Sequence, residues 1–353
     1  MLQSLSVRNF RGLRQFDAAN FGRVNVFIGT NAAGKTSVLE AISIAANPAT
    51  PAWLLTLSGW REMQPASFNN DDALRAYFYD LDISQTPRIC FTDDGAEHEL
   101  VIAPLSAKRV SQTVSESSSA DAGSLSSEGR TELRGISLSL TPPNGQPVVK
   151  STLELEERGG RVESAKYAEK FGCFYIHARR ANSAGETATL LTSLFEKKQE
   201  ADFLEVMQLV DKRVVKMWPG VRPSGPTVLV DIGLPHMLPI NLLGDGICRV
   251  ALMATGLLSG QSKILIVDEI DSGLHFSVMP SVWRGISKLA QQKQVFCATH
   301  SEEMLSAAME AFAETPQDLR FFRIDRLEND RVRATPLDYT TVEASRRAGL
   351  EIR

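Results

Sequence analysis

Apolar residues recur along the chain at two spacings. Near the start Leu5 and Val7 alternate with polar neighbours and Phe10 follows, the period-two pattern of short strands across residues 2–28. Val24–Ile28 is apolar apart from Asn25, runs straight into a glycine, and reads as a strand buried on both faces. Over 35–46 the spacing of Val38, Leu39, Ile42 and Ile44 predicts a helix, and 70–82 reads as another. Ile89–Phe91 and Leu100–Ala103 return to strand patterns. Nine serines and few large apolar residues then occupy Ser106–Ser127, a composition that cannot bury a core and predicts a loop. Ile136–Leu140 alternates again, Pro142-Pro143-Asn144-Gly145 is a turn signal, and Val148–Leu155 returns, so a β-hairpin arm is expected at 133–157.

In the second half Phe174–Ile176, Val228–Ile232, Ile264–Val267 and Val295–Ala298 read as strands. They are separated by helical stretches at 187–217, 246–258 and 275–290. Apolar strands alternating with helices predict an α/β fold, a mostly parallel core sheet flanked by helices. The alternating strands near the start add an antiparallel β lobe, and the hairpin is an insertion. The expected organisation is one head made of 1–104 and 169–353, with 105–168 inserted into it.

Composition narrows this picture only at its edges. The chain has 353 residues, 43% hydrophobic and 23% charged, an ordinary globular balance. A net charge of -4 argues against a uniformly basic surface but leaves room for a local patch. Arg8, Arg11, Arg14 and Arg23 crowd the first lobe, and Arg179 adjoins Arg180, so arginine clusters are candidates for nucleic-acid phosphates. The four cysteines, Cys90, Cys173, Cys248 and Cys297, form no CxxC pair and read as reduced thiols. The opening residues lack the apolar core of a signal peptide. No apolar run approaches the roughly 20 residues that span a bilayer, so a cytoplasmic protein is expected.

The sharpest chemistry follows the buried strand. Gly29-Thr30-Asn31-Ala32-Ala33-Gly34-Lys35-Thr36 matches G-x-x-x-x-G-K-[ST] at every fixed position, between a strand and a helix. The glycines let the loop curl so that its N–H groups face a phosphate, and the helix start adds partial positive charge. Lys35 is placed to reach the β- and γ-phosphates of ATP, and the Thr36 hydroxyl to ligate Mg²⁺. Ser37 closes the loop segment.

A second apolar strand, Ile264–Val267, ends in Asp268-Glu269. Carboxylates fit a buried strand only at its end, where an ion or ligand meets them. Asp268 is expected to hold Mg²⁺ through water, and Glu269 to orient or deprotonate the attacking water. Asp271-Ser272-Gly273-Leu274-His275 follows as a turn. A third strand, Val295–Ala298, leads into Thr299-His300-Ser301, which puts His300 in place to sense a γ-phosphate. The remaining histidines, such as His98, His177 and His236, show no comparable setting.

The order of GTNAAGKTS at Gly29–Ser37, DEIDSGLH at Asp268–His275 and ATHS at Ala298–Ser301 resembles the ABC class of P-loop NTPases. It is nearer to the OLD- and RecF-type AAA ATPases than to transporters. The opening LSVRNFRGL at Leu5–Leu13 is similar to the first strands of SMC and RecF heads, and Gly349–Arg353 is weakly similar to the same group. The likeness covers most of 1–100 and 170–353. It implies two heads closing over two ATPs, each offering a signature segment to the other's nucleotide. The candidate is Leu243–Arg249, with Gly244, Asp245 and Gly246 facing phosphate at a helix start and Ser272–His275 lying between the sites. It departs from LSGGQ, against a transporter. The resemblance also implies that Arg11 reaches the nucleotide and that a glutamine senses Mg²⁺, for which Gln64 and Gln85 are equal candidates.

No heptad run separates the motifs, so the long coiled coil of an SMC arm is not expected. Too little chain follows His300 for the Toprim nuclease of OLD proteins. The expected function is an ATP-hydrolysing, dimerising switch in DNA repair or anti-phage defence. The alternatives are a nucleotide-binding subunit of a membrane transporter and an ATP-binding scaffold with little turnover. The partners to expect are a second copy or a higher oligomer, an effector such as a nuclease or toxin, and DNA, but no membrane.

Overall fold

The computed structural model describes residues 1–63, 71–106, 133–143, 145–156, 159–167, 171–178, 184–260 and 262–348. Gln64, the serine-rich stretch beyond Ser106, Asn144, Arg179, Arg180 and Gly349–Arg353 lie outside the described residues.

The first strands are β1 (Leu2–Phe10), β2 (Leu13–Ala19) and β3 (Val24–Ile28), followed by helix α1 (Lys35–Ala46). Helix α2 (Ala52–Trp60) and the short α3 (Asp72–Arg75) lead to β4 (Arg88–Asp93), β5 (Ala96–Ser106), β6 (Leu133–Thr141), β7 (Val149–Glu156), β8 (Gly159–Glu163) and β9 (Cys173–Ile176). Helices α4 (Ala184–Glu196) and α5 (Glu200–Val210) precede a small sheet of β10 (Lys216–Arg222), β11 (Gly225–Asp231) and β12 (Leu238–Pro239). The chain closes with α6 (Asp245–Leu258), β13 (Ile264–Val267), α7 (Met279–Leu289), β14 (Gln294–Thr299), α8 (Glu302–Ala311), β15 (Leu319–Arg326), β16 (Arg331–Leu337) and α9 (Tyr339–Arg347).

Among the described residues the large sheet runs β8-β7-β6-β5-β4-β1-β2-β16-β15-β3-β14-β13-β9. From β15 to β9 every pairing is parallel, and β16 also runs parallel to β2. From β2 to β8 every pairing is antiparallel. The expected hairpin therefore forms, and β6 joins β5 along its length as part of the main sheet.

Strands β3, β13 and β14 are buried on both faces, and their alternation feeds two cores. Val24 and Val26, Leu265 and Val267, Val295 and Cys297 point to helices α4–α8. Phe27, Ile266 and Phe296 point the other way, to α1 and the antiparallel strands. Asn25, the one polar residue of β3, is fully buried; its amide bonds Gly22 O, Val295 O and Gly22 N. That satisfies the group where an unpaired amide would be costly.

Three element readings need correction. The helix expected at 70–82 is only α3 plus a short 3₁₀ turn at Tyr79–Leu81. The Leu74, Tyr77, Phe78 spacing is helical, but β1 captures that backbone: Arg11 N donates to Tyr77 O, and Phe10 bridges Phe78. Asp80 and Leu81 then turn left-handed. The helical stretch at 187–217 is two helices that break at Lys198, with φ 56°, and it ends in strand β10, whose Met217 and Trp218 alternate inward and outward. Val228–Ile232 forms a strand, β11, in the separate antiparallel sheet.

Candidate nucleotide site

Strand β3, between β15 and β14 in the parallel part, delivers Gly29 to the end of the sheet where ligands meet open α/β folds. No side chain fits at Gly29, because a Cβ would stand 2.4 Å from Ile324 O of the neighbouring strand. Ala32 has φ 63° and Gly34 φ 106°, so the loop curls through left-handed backbone into the first turn of α1. Lys35 Nζ donates to the loop's own carbonyls, Gly29 O at 2.7 Å and Thr30 O at 2.9 Å. Burial lowers the Lys35 pKa, opposed by the charges of Asp268, Glu269 and Asp271.

Thr36 Oγ1 donates to Asp268 Oδ2 at 2.9 Å. Asp268 is 2% exposed at the end of β13, and burial pushes its carboxyl up to about 6. Glu269 and Glu40 push the same way, while the Thr36 hydrogen bond and Lys35 oppose them. A buried hydroxyl–carboxylate pair of this kind suits a hard divalent cation. Among the described residues no cluster of three or more His, Cys, Asp or Glu could cage a metal. Mg²⁺ takes one or two protein oxygens and completes its shell with phosphate and water, and Thr36 Oγ1 with Asp268 Oδ2 offers two such oxygens.

Glu269 is exposed and left-handed, with φ 49°. Its carbonyl accepts Ser272 N at 2.9 Å and Arg249 Nη2 at 3.0 Å. Asp271 accepts the Thr299 hydroxyl at 2.5 Å, and its other oxygen lies 3.7 Å from His300 Nδ1. His300 leaves β14 half-exposed beside that carboxylate. Adjacent strand ends thus gather Lys35, Thr36, Asp268, Glu269 and His300.

The segment at the start of α6 stands apart. Gly244, φ 105°, and Asp245 are exposed, while Gly246 lies against the turn after the acid pair. A Cβ on Gly246 would come 2.6 Å from Gly273 O.

Arg11 departs from expectation. It is 8% exposed, its Nε is 2.6 Å from Glu40 Oε2, and its guanidinium lies 4.2 Å over the Tyr77 ring. Glu40, buried in the middle of α1, also holds Arg61 Nε at 2.7 Å and Nη2 at 3.1 Å. Arg11 is thus committed to a buried ion cluster. Arg8 pairs with Asp17 and Arg23 with Asp318. Gln85 sits in an exposed turn.

Sequence reasoning missed the roles of Glu40 and Arg249. Each had a signal, since Glu40 is the one charged residue in the run Val38–Ala46 and Arg249 the one in Ile247–Leu258.

A glycine loop fed by a strand inside the parallel part of the sheet, beside an acid-ended strand and next to an antiparallel lobe, is the arrangement of P-loop ATPases with the ABC-type fold; the chain is an ATPase of that fold. It belongs to the family described as "AAA domain, putative AbiEii toxin, Type IV TA system", whose profile matches residues 24–306. An "ATP/GTP phosphatase" of Helicobacter pylori is 20% identical over 338 residues, 86% of each chain. A "DNA replication and repair protein RecF" of Lactobacillus acidophilus is 54% identical over 41 residues, 12% of this chain and 11% of that one. An SMC head solved bound to the C-winged helix domain of ScpA superposes with TM-score 0.50 at 10% identity, covering 96% of this chain and 97% of that one, a likeness of fold. Among the described residues no helix is long and apolar enough to cross a membrane.

Proposed function

We propose that the chain is an ATP-driven switch in which two copies close over two Mg²⁺-ATP molecules. The loop Gly29–Ser37 cradles the triphosphate, with Lys35 on its outer phosphates. Thr36 and Asp268 would hold Mg²⁺, which when bound offsets charge on the phosphate oxygens. Glu269 orients the attacking water and accepts its proton, and His300, steadied by Asp271, faces the γ-phosphate. Gly244–Gly246 of one chain would complete the other chain's site. The two-fold arrangement makes each surface both donor and acceptor.

The observation that carries this reading is the exposed start of α6. Gly244 and Asp245 sit there with Leu242 70% exposed, and Phe276, after the acid-pair turn, is 64% exposed. Large apolar side chains left open beside a glycine-led helix start favour a face that is covered in another state. ATP would be the adhesive, and loss of the γ-phosphate would remove its preference for the closed state.

The family's description as a toxin of a type IV toxin–antitoxin system and the name of the RecF relative support defence or repair as the setting. For a partner beyond the second copy we favour a protein effector over DNA. Of the four N-terminal arginines considered for phosphate contacts, Arg8, Arg11 and Arg23 already face carboxylates.

Light scattering tests the switch. Glu269→Gln with ATP should double in mass at micromolar concentration, and adding Leu242→Glu to it should keep the chain monomeric while it still binds ATP. A Glu269→Gln protein whose mass is the same with and without ATP would rule out the homodimer.

A further inference from the structure

Arg249 lies 6% exposed in α6 and is the one charged residue of that helix beyond its first turn. One nitrogen, Nη2, donates to two main-chain oxygens: Asp268 O at 2.6 Å and Glu269 O at 3.0 Å. A buried guanidinium is costly unless its charge and donors are answered. Here Nη2 is answered by the backbone of the acid pair and the charge by nearby Asp268, Glu269 and Asp271, while among the described residues the buried Nε finds no hydrogen-bond partner.

The residue it grips is the strained one. Glu269 is left-handed at φ 49°, a conformation that persists in a non-glycine residue when its surroundings over-determine it. Three bonds do so. Arg249 and Ser272 N both donate to Glu269 O, and Ile270 N is fastened to Ala298 O of β14 at 2.9 Å. Of these, only the Arg249 bond comes from a different helix. One turn earlier on that helix, Gly246 touches Gly273 backbone to backbone. The first two turns of α6 therefore hold the Glu269–Gly273 turn at both ends.

We propose that Arg249 is a positioning residue for ATP hydrolysis: it holds the Glu269 main chain in its left-handed turn and so ties the aim of that carboxylate to the start of α6. The proposal rests on the reading of Glu269 as the residue that orients water. It adds a link between sites. If Gly244–Gly246 meets a partner's nucleotide, that contact reaches the acid of its own chain through a rigid path one helical turn long. A lysine keeps the charge and can serve two carbonyls from one nitrogen, as Lys35 Nζ does at Gly29 O and Thr30 O, but it lacks the rigid guanidinium that fixes where that nitrogen sits.

The test is a double-mutant cycle in the full-length chain, using R249M, R249K, E269Q and R249M/E269Q. Equilibrium binding of a fluorescent ATP analogue and single-turnover hydrolysis of radiolabelled ATP are measured for each. R249M should slow hydrolysis at least about tenfold while nucleotide affinity stays within about threefold, and R249K should recover part of the rate. On the E269Q background R249M should add little, because both changes remove the same step. If R249M slows both backgrounds by the same factor, or slows neither, Arg249 serves the fold alone and the proposal fails while Glu269 keeps its role. An E269Q protein that hydrolyses at the wild-type rate instead overturns the reading of Glu269, and the proposal with it. If R249M melts before the assay temperature, R249K takes its place in the same cycle with the same outcomes.

Discussion

Thr36 Oγ1 and Asp268 Oδ2 are 2.9 Å apart although 232 positions separate them in sequence. That one hydrogen bond joins the start of α1 to the end of β13, and it marks where a cation would be held. The Asp268 carboxyl is pushed up to about 6 by burial, above its ordinary 3.8. A carboxyl with a raised pKa binds a proton more tightly folded than unfolded, so without a cation it lowers stability as pH rises from about 4 through about 6. Asp268→Asn removes that penalty. At pH 7.5, without nucleotide or metal, the variant should unfold at higher temperature than the wild type, by on the order of 2–3 kcal/mol at most. Scanning calorimetry measures this, and a lower melting temperature would contradict it. In the wild type, Mg²⁺-dependent hydrolysis should weaken as pH falls below about 6, where the proton competes with the cation.

Lys35→Ala should weaken ATP binding at least about tenfold, about 1.4 kcal/mol, because it removes the charge-assisted contact to the phosphates. Titration calorimetry reads this directly. Unchanged affinity would mean that Lys35, with its ammonium on Gly29 O and Thr30 O, braces the loop and nothing more.

Glu269→Gln should keep nucleotide bound and cut steady-state turnover by about a hundredfold or more, the usual range for losing a general base. His300→Ala should cut it less, because the imidazole is half-exposed and stands beside the Asp271 carboxylate at 3.7 Å. Phosphate release under saturating ATP ranks the two. The reverse ranking would move the main catalytic burden to β14.

Glu40→Gln should be severely destabilising. Arg11 and Arg61 share this buried carboxylate, and removing one partner of a buried ion cluster costs about 3–5 kcal/mol because the remaining charge stays desolvated. Urea unfolding measures the loss. A shift within experimental error would mean that water reaches Arg11 in solution.

The local part of the site was legible because its signals are contiguous. Gly29–Thr36 carries its own strand, loop and helix, and Ile264–Glu269 its own strand and acids, so neighbours in sequence are neighbours in the pocket. The parallel sheet could be read from the mainly apolar runs of β3, β13 and β14 for the same reason. Long-range choices were not legible. Nothing near Arg11 in sequence announces Glu40, and an arginine after a strand looks the same whether it faces a ligand or a buried acid. The helical spacing of Leu74, Tyr77 and Phe78 is genuine, but β1 outbid it for the backbone. Arg249 was visible as a misplaced cation, but its target, two carbonyls on another strand end, has no side-chain signature at all.

Strand β3 sits between β14 and β15, and Asn25 is bonded to a residue 270 positions downstream. On the ribosome, both flanking strands, Gln294–Thr299 and Leu319–Arg326, emerge long after Val24–Ile28 and the glycine loop. Until they do, this apolar strand has two open edges, the condition that invites pairing with another chain. Pairings this distant also make folding slow, since the loop must close before any contact rewards it. The phosphate loop is therefore translated well before the strands that flank it, and a chain that stalls before Gln294 carries that loop with no pocket around it.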